Sequence, residues 1–563
     1  MNRVYAFLIC TCSLLAHFAS AQTNVSGFIN ANTTWTLAGS PYIVTGNALL
    51  SQGFTLTIDP GVVVKFGTNN ALQIDGQLIA IGTPTQRIVF TSNQSSPQAG
   101  DWAKLHFSDF SVNAVYNAQG NYVSGSIMKY CDVLYGGSAM YGALDIQQSS
   151  PYFNHCRIAN SSWSGINFNG DSLHVDSSAI RNCAARGIIY QGGHFLFRND
   201  SFTGNIQGAI HVMQMYDGVQ SHILDSYFST NYSALTWLSN GLSHVTIKGN
   251  VFTNHTATVV ELQGVYDTVS CNQFINNTGG PAIQWGDGAN PFSGGIIYNN
   301  LFQGNSNSSG PSVFGIGAGY NAGAGDTLII AGNVVRNNSS QGYACCEFEV
   351  DLFSSIPGPY LRIRDNEFTS NSGAQFMRIH GAQNNNPSYN FLRIVNNNFT
   401  NPNCQYELYN DVPYGSPNLA VGNNYWGSTS TTYVESVIYD YFDFPNQSVV
   451  YYAPVLTAPV GIDSTCQSFI DHPDGIHENN LLTNAFLVYP NPASGQVTVT
   501  FTGVLDISDG ATIEILNALS QVVYSTNITN ASATTIALPE AGGVYFVRVT
   551  TEKGMSIERV VKE

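Results

Sequence analysis

Positive charge is scarce in this sequence: 19 Lys and Arg stand against 36 Asp and Glu in 563 residues, a net charge of −17. Binding to a phosphate backbone needs clustered Lys and Arg, so the balance argues against nucleic acid as a partner. Charge of either sign is only 10% of the residues while 43% are apolar, so the chain can bury a large core and is not disordered by composition. Helix formers are few beside Gly, Asn, Ser, Thr and the aromatic and β-branched residues, and Gly-Asn turn signals interrupt almost every apolar run. The chain therefore reads as all-β. Beyond the N-terminal segment no apolar stretch is long enough for a transmembrane helix.

That segment is a targeting signal. Arg3 precedes an apolar run from Val4 to about Phe18, and Ala19-x-Ala21 makes a small-residue cleavage site before Gln22. Residues 1–21 are expected to be a signal peptide cut between Ala21 and Gln22, which places the mature chain outside the cytoplasm. Cys10 and Cys12 leave with it, and the eight later cysteines match no C-x-x-C pairing of a zinc site. Cys131 and Cys156 sit at equivalent positions, either as a disulfide or as packed thiols.

What is abundant is a repeated phrase. "KGNVFTNH" (248 to 255) returns in loosened form as "RNDSFTGN", "NNLFQGN", "RDNEFTSN" and "VNNNFTN". Its large apolar residue gives the series Ile158, Ile180, Phe202, Phe228, Phe252, Phe274, Phe302, Val335, Phe368, Phe399 and Trp426, with a minimum interval of 22 residues stretched by insertions. A fixed period of this size is the mark of a solenoid. Within each period the pattern alternates every two residues, as in "VTI" (245 to 247) and "VEL" (260 to 262), so each repeat offers several short strands.

These features together predict a right-handed parallel β-helix, each coil stacked on the last at about 4.8 Å. The anchors fill the core. An Asn two or three residues later supplies a donor and an acceptor to a column of amides at a turn, and Asn182, Asn205, Asn231, Asn254, Asn276, Asn305 and Asn371 are the expected rungs.

The opening "LTIDPGVVVKFG…ALQIDGQLIAIGT…GDWAKLHF" (56 to 107) and the closing "GNNYWGS" (422 to 428) resemble bacterial β-helix proteins of the pectin-lyase-like superfamily. The resemblance runs from about 24 to 460 and implies the fold, which hosts lyases, hydrolases and non-catalytic adhesins alike. After a polar, Pro-containing linker (461–484), residues 485–563 alternate as strands of a small β-sandwich. "YPNP" (Tyr489, Pro490, Asn491, Pro492), "GVYFVRV" (Gly543, Tyr545) and a basic final strand resemble the C-terminal sorting domain of the type IX secretion system of Bacteroidetes. That resemblance implies the type IX machinery as a partner, passage through the periplasm, and an extracellular or outer-membrane surface location. The expected organisation is thus signal peptide 1–21, β-helix 22–460, linker 461–484 and sorting domain 485–563.

For chemistry the sequence offers little. There is no paired Asp motif for hydrolysis and no compact carboxylate cage beside an Arg or Lys. Two groupings stand out. Glu261, Glu347, Glu349, Arg378, His380 and Glu407 are expected to point outward from one lateral sheet and form a groove for a sugar or a cation; Ca²⁺ is the metal such carboxylates suit, and no other cofactor is expected. His174, His194, His222 and His244 are spaced by one coil or two, a staggered line of imidazoles with the chemistry to hold a transition metal. The favoured function is a secreted or surface monomer that binds glycan or adheres, with a polysaccharide lyase or glycoside hydrolase as the alternative.

Overall fold

The computed structural model describes residues 22–562 apart from 118–119, 139–140, 217, 238–243, 264–266, 287–293, 319–326, 351–359, 382–391, 415–417, 463–485, 502–509, 518–521, 530–532, 540 and 552–553. Ala21, the signal segment and nearly all of the 461–484 linker lie outside the described residues; Gln22 is the first of them. The chain divides into two compact units between Asp471 and His472.

In the first unit 42 strands form one hydrogen-bonded network in which every strand pairs in parallel with strands one coil away. The coil Tyr227–Ser229, Leu235–Trp237 and His244–Lys248 is followed by Val251–Thr253, Val260–Leu262 and Asp267–Ser270. Phe228 lies against Phe252, Leu235 against Val260, and Thr246 against Thr268. This is a parallel β-helix. Alternation decides the faces: in His244–Lys248, Val245 and Ile247 are buried while His244, Thr246 and Lys248 face out.

The repeated phrase occupies one edge of the coil. Phe202, Phe228, Phe252, Phe274 and Phe302 stack with ring centroids 4.8 to 4.9 Å apart, the coil spacing itself. On each side of this stack runs a column of buried polar residues. Two residues before the anchor stand Ser226, Asn250, Asn272, Asn300, Asn333, Asn366, Asn397 and Asn424. In that column the backbone N–H and Nδ2 of Asn272 both donate to Asn300 Oδ1, at 2.9 and 3.0 Å, while Nδ2 also donates to Ile247 O one coil below. Three residues after the anchor stand Asn205, Asn231, His255, Asn277, Asn305, Asn338 and Asn371, and the column closes on Asn401, two residues after Phe399; Asn277 N–H and Nδ2 donate to Asn305 Oδ1 in the same way.

The expected ladder therefore needs correction. Asn205, Asn231, Asn305 and Asn371 are rungs. Asn182, Asn254 and Asn276 stand one residue earlier, at φ of 55 to 57°, and are exposed. That left-handed turn conformation is one Asn tolerates better than most residues. The rung next to Asn254 is His255, whose N–H donates to Asn277 Oδ1; the rung next to Asn276 is Asn277. The earlier column escaped notice although its Asn is written in the same phrase, at Asn250.

The two cysteines expected as a pair begin that earlier column. Cys131 and Cys156 are free thiols, each with Sγ hydrogen-bonded to a carbonyl of the preceding coil, Ala80 at 3.4 Å and Met128 at 3.2 Å. A thiol, like an amide, here serves a backbone acceptor that the sheets do not reach.

The second unit is antiparallel. Phe486–Tyr489, Gln496–Phe501 and Ala533–Ala537 form one sheet, and Val522–Ile528, Ala511–Leu516, Gly543–Thr551 and Gly554–Lys562 another. Buried Phe486, Val497, Val499, Ile513, Ile515, Val547, Val549 and Val560 lie between them. Within the "YPNP" segment, Asn491 Oδ1 accepts from Val561 N–H at 2.9 Å, tying the turn to the last strand. Tyr489 is exposed and shares a 3.0 Å hydrogen bond with Thr500; Tyr545 is buried, its hydroxyl donating to Ala541 O.

Candidate functional site

On the lateral sheet that follows the turn edge, outward residues line up coil over coil. Glu261 lies against Gln284, then Gly315, Glu347, Arg378, Tyr409 and Tyr439 in succession. A parallel row two residues further along holds Gly317, Glu349, His380 and Asp411. The strand "FGIGA" (314 to 318) explains the shape here. Phe314 and Ile316 face the core, and the outward positions are Gly315 and Gly317, so the row loses its side chains for one coil. The result is an open cleft of about 270 Å³ lined by Gln284, Gly286, Pro311, Gly315, Ile316, Gly317, Glu347, Glu349 and His380. A Cβ at Gly315 would meet Gln284 Oε1 at 2.4 Å, so a side chain there would displace the Gln284 amide that lines the cleft.

Two of the lining residues, Glu347 and His380, belong to a charge network that continues beyond the cleft. Arg378 Nη1 lies 3.0 Å from Glu347 Oε1, its Nη2 bonds Asp411 Oδ2, and His380 Nε2 lies 3.1 Å from the same Glu347 oxygen. The hydrogen bond from His380 holds the Glu347 carboxyl below the usual carboxylate range, against the upward push of burial, and Arg378 adds to that. These side chains are a fifth to a third exposed, so the network is wet and its geometry serves orientation more than stability. Past it, Tyr409 and Tyr439 stack with centroids 4.2 Å apart and an interplanar angle of 2°.

Of the six residues expected in the groove, Glu347, Glu349, Arg378 and His380 meet here. Glu261 shares the row but stands three coils away, about 14 Å at the spacing of parallel strands. Glu407 is a correction: it is buried, at 3% exposure, and accepts hydrogen bonds from Asn401 N–H at 2.5 Å and Asn401 Nδ2 at 2.7 Å. It closes the end of an amide column where no further Asn follows, and burial pushes its carboxyl up to about 7. Asp411, absent from that expected set, stands outward against His380 instead. The alternation of Tyr409 and Asp411 against buried Leu408 and Asn410 was the available signal.

A second cluster on the same sheet was not anticipated. Asp145 is 3% exposed in its side chain and Oδ2 accepts from Lys104 Nζ at 2.6 Å and His106 Nδ1 at 2.9 Å. Its other oxygen accepts from Gln147 and Asn167 amides. Burial would raise this carboxyl, but the hydrogen bonds from His106 and Lys104 outweigh it and hold the pKa at about 2. Lys104 Nζ also lies 3.6 Å from the Tyr141 ring centroid. The signal was present in "KLHF" and "LDIQ", whose outward positions stack His106 on Asp145.

The histidines lie on another sheet. His174 Nε2 and His194 Nε2 are 3.4 Å apart. His174 and His222 each lie against Leu196 from opposite sides, and His244 lies against Gln220, so the four zigzag between two rows. Among the described residues no three His, Cys, Asp or Glu side chains form a ready metal cage.

Comparison with known proteins finds a match within each unit. Residues 27–173 match the family described as a pectate-lyase like beta helix domain, and residues 487–563 match the secretion system C-terminal sorting domain. Protein bark beetle of Drosophila melanogaster is 42% identical over 57 residues, which is 10% of this chain and 2% of that protein. The chain thus spans about 2% of the length of this curated relative. Among solved structures, a PL6 family polysaccharide lyase from Pseudopedobacter saltans aligns at 14% identity with a TM-score of 0.33, covering 75% of this chain and 91% of that one. A tailspike protein of E. coli bacteriophage HK620, in complex with a pentasaccharide, aligns at 11% identity with a TM-score of 0.26, covering 92% and 87%. The chain carries a pectate-lyase-like β-helix and a type IX sorting domain, and the latter marks it for the cell surface or the extracellular space.

Proposed function

We propose that this is an exported glycan-binding protein whose contact surface is the lateral row from Gln284 to Tyr439, centred on the cleft below Glu347, Arg378 and His380. One observation carries the reading: in a chain only 10% charged, five ionisable side chains, Glu347, Glu349, Arg378, His380 and Asp411, converge on two adjacent rows. The cleft beside them is floored by glycine and the row ends on stacked tyrosines. Sugars need hydrogen-bonding groups held in fixed directions and aromatic area beside them, and both features are present at a repeat of about 4.8 Å. The carboxylates outnumber the cations in the cleft, which favours neutral or amino-bearing sugars over polyuronates. Glycan-array binding of the mature protein, repeated with Arg378→Ala and Tyr439→Ala, tests this. The reading requires binding to neutral or amino sugars that both variants weaken at least tenfold.

A second reading, cleavage of a polysaccharide, is favoured by the cluster on Asp145. With Nδ1 donating to a buried carboxylate, His106 has Nε2 left as the ring's acceptor, an arrangement suited to proton transfer. Incubation with acidic and neutral polysaccharides, monitored for unsaturated or reducing ends, separates the readings: new ends that vanish in His106→Ala would replace binding by catalysis. The signal peptide over 1–21 and the periplasmic route belong to the same proposal, and N-terminal sequencing of exported protein beginning at Gln22 is the expected result.

A further inference from the structure

We propose that His174 and His194 form a binding site for a borderline divalent transition metal, Zn²⁺ or Cu²⁺, on the sheet that does not carry the cleft. The two Nε2 atoms face each other at 3.4 Å. In tetrahedral coordination with metal–nitrogen bonds of about 2.0–2.1 Å, two ligand nitrogens stand about 3.3–3.4 Å apart. As a direct N–H···N contact the same distance is long. A shared cation suits it better than a shared proton.

The surroundings hold the donors in the form a metal needs. The Tyr116 ring packs on His174 with centroids 4.3 Å apart, restricting that imidazole. Burial, with His194 and Arg198 beside it, lowers the His174 pKa to about 4, against the opposing pull of Asp176. Burial lowers His194 as well, while Asp171 pulls the other way. His194 is exposed, which leaves the ion an approach from solvent. His222 stands one coil above His194 and two residues further along. The ion would take two ligands from the protein and the rest from water, with His222 as the nearest further imidazole. Imidazole donors select Cu²⁺ and Zn²⁺ over Ca²⁺ and Mg²⁺.

The test is titration of the metal-stripped mature protein with Zn²⁺, Cu²⁺ and Ca²⁺ alone, by calorimetry and by competition with a chromophoric chelator. One equivalent of Zn²⁺ or Cu²⁺ is expected, tighter for Cu²⁺, with no Ca²⁺ heat from this site. His194→Gln, at an exposed position that leaves the fold intact, is expected to weaken it at least tenfold, and His174→Gln likewise, with His244→Gln unchanged. An anomalous-scattering peak between the two rings in Zn²⁺-soaked crystals is the independent readout. Failure to bind either metal, unchanged affinity in His194→Gln, or a peak elsewhere overturns the proposal.

Discussion

The two faces of a single coil obey opposite rules. At the turn edge the same residues return coil after coil: Phe252, Phe274 and Phe302 in the stack, and Asn272, Asn300 and Asn333 in the column beside it. On the lateral sheet the row changes at every step, from Glu261 to Gln284, Gly315, Glu347, Arg378 and Tyr409. The difference follows from where each backbone and side-chain group finds its partner. An amide rung is complete only if the next coil presents the same oxygen at the same height, so one Asn demands another. An outward strand residue has its backbone satisfied by the ladder and its side chain by water, so neighbours impose nothing on it. Repetition is therefore a record of folding constraints, and its interruption marks where the chain was free to acquire a ligand.

That contrast can be broken deliberately. Phe274→Ala, which opens a void in the middle of the stack, is expected to cost about 4 kcal/mol in urea unfolding. Asn300→Ala should cost about 3 kcal/mol, because the N–H and Nδ2 of Asn272 lose their shared acceptor and the carbonyl of Val269 its donor, all in a buried site. Glu407 ends a column with a carboxyl raised from 4.5 to about 7. The folded state then holds its proton more tightly than the unfolded chain, so its contribution is fully present below about pH 4.5 and is lost as pH rises through 7. Wild type should lose stability relative to Glu407→Gln as pH rises through that window, by at most about 3 kcal/mol, the groups common to both cancelling in the difference. Smallest of all is Asn254→Gly: this Asn lies outside the columns at a φ of 57°, which glycine adopts without strain, and a change within about 0.5 kcal/mol is expected. Equal costs for Asn254→Gly and Asn300→Ala would erase the distinction between turn and rung.

The sequence carries the architecture at high resolution and the site at low resolution, for the same reason. Period and alternation locate Phe252 in the core and Thr246 outside it because identical demands recur and can be counted. The counting failed by one residue at Asn254, where a left-handed turn Asn and a buried rung are adjacent and only His255, an unlike residue, fills the rung. It failed again at Glu407, whose charge suggested an outward position although its partner is the last amide of a column. Lys104, His106 and Asp145 alternate outward within their own segments but lie outside the repeated phrase, so their association depends on the register between coils separated by a long insertion. Arg378 and Glu347 stand together as outward charges, while the glycine floor beneath them at Gly315 and Gly317 emerges only from the stacked strands.

The central claim is that ligand recognition resides in the non-repeating row. It is tested most directly by affinity electrophoresis of the mature protein through gels containing the glycan that the array selects, with Arg378→Ala beside Asn254→Gly. The account predicts that Arg378→Ala keeps its unfolding midpoint within about 1 kcal/mol of wild type yet loses its retardation, while Asn254→Gly is retarded as wild type is. Retardation of Arg378→Ala equal to wild type, or its loss in Asn254→Gly, would contradict it.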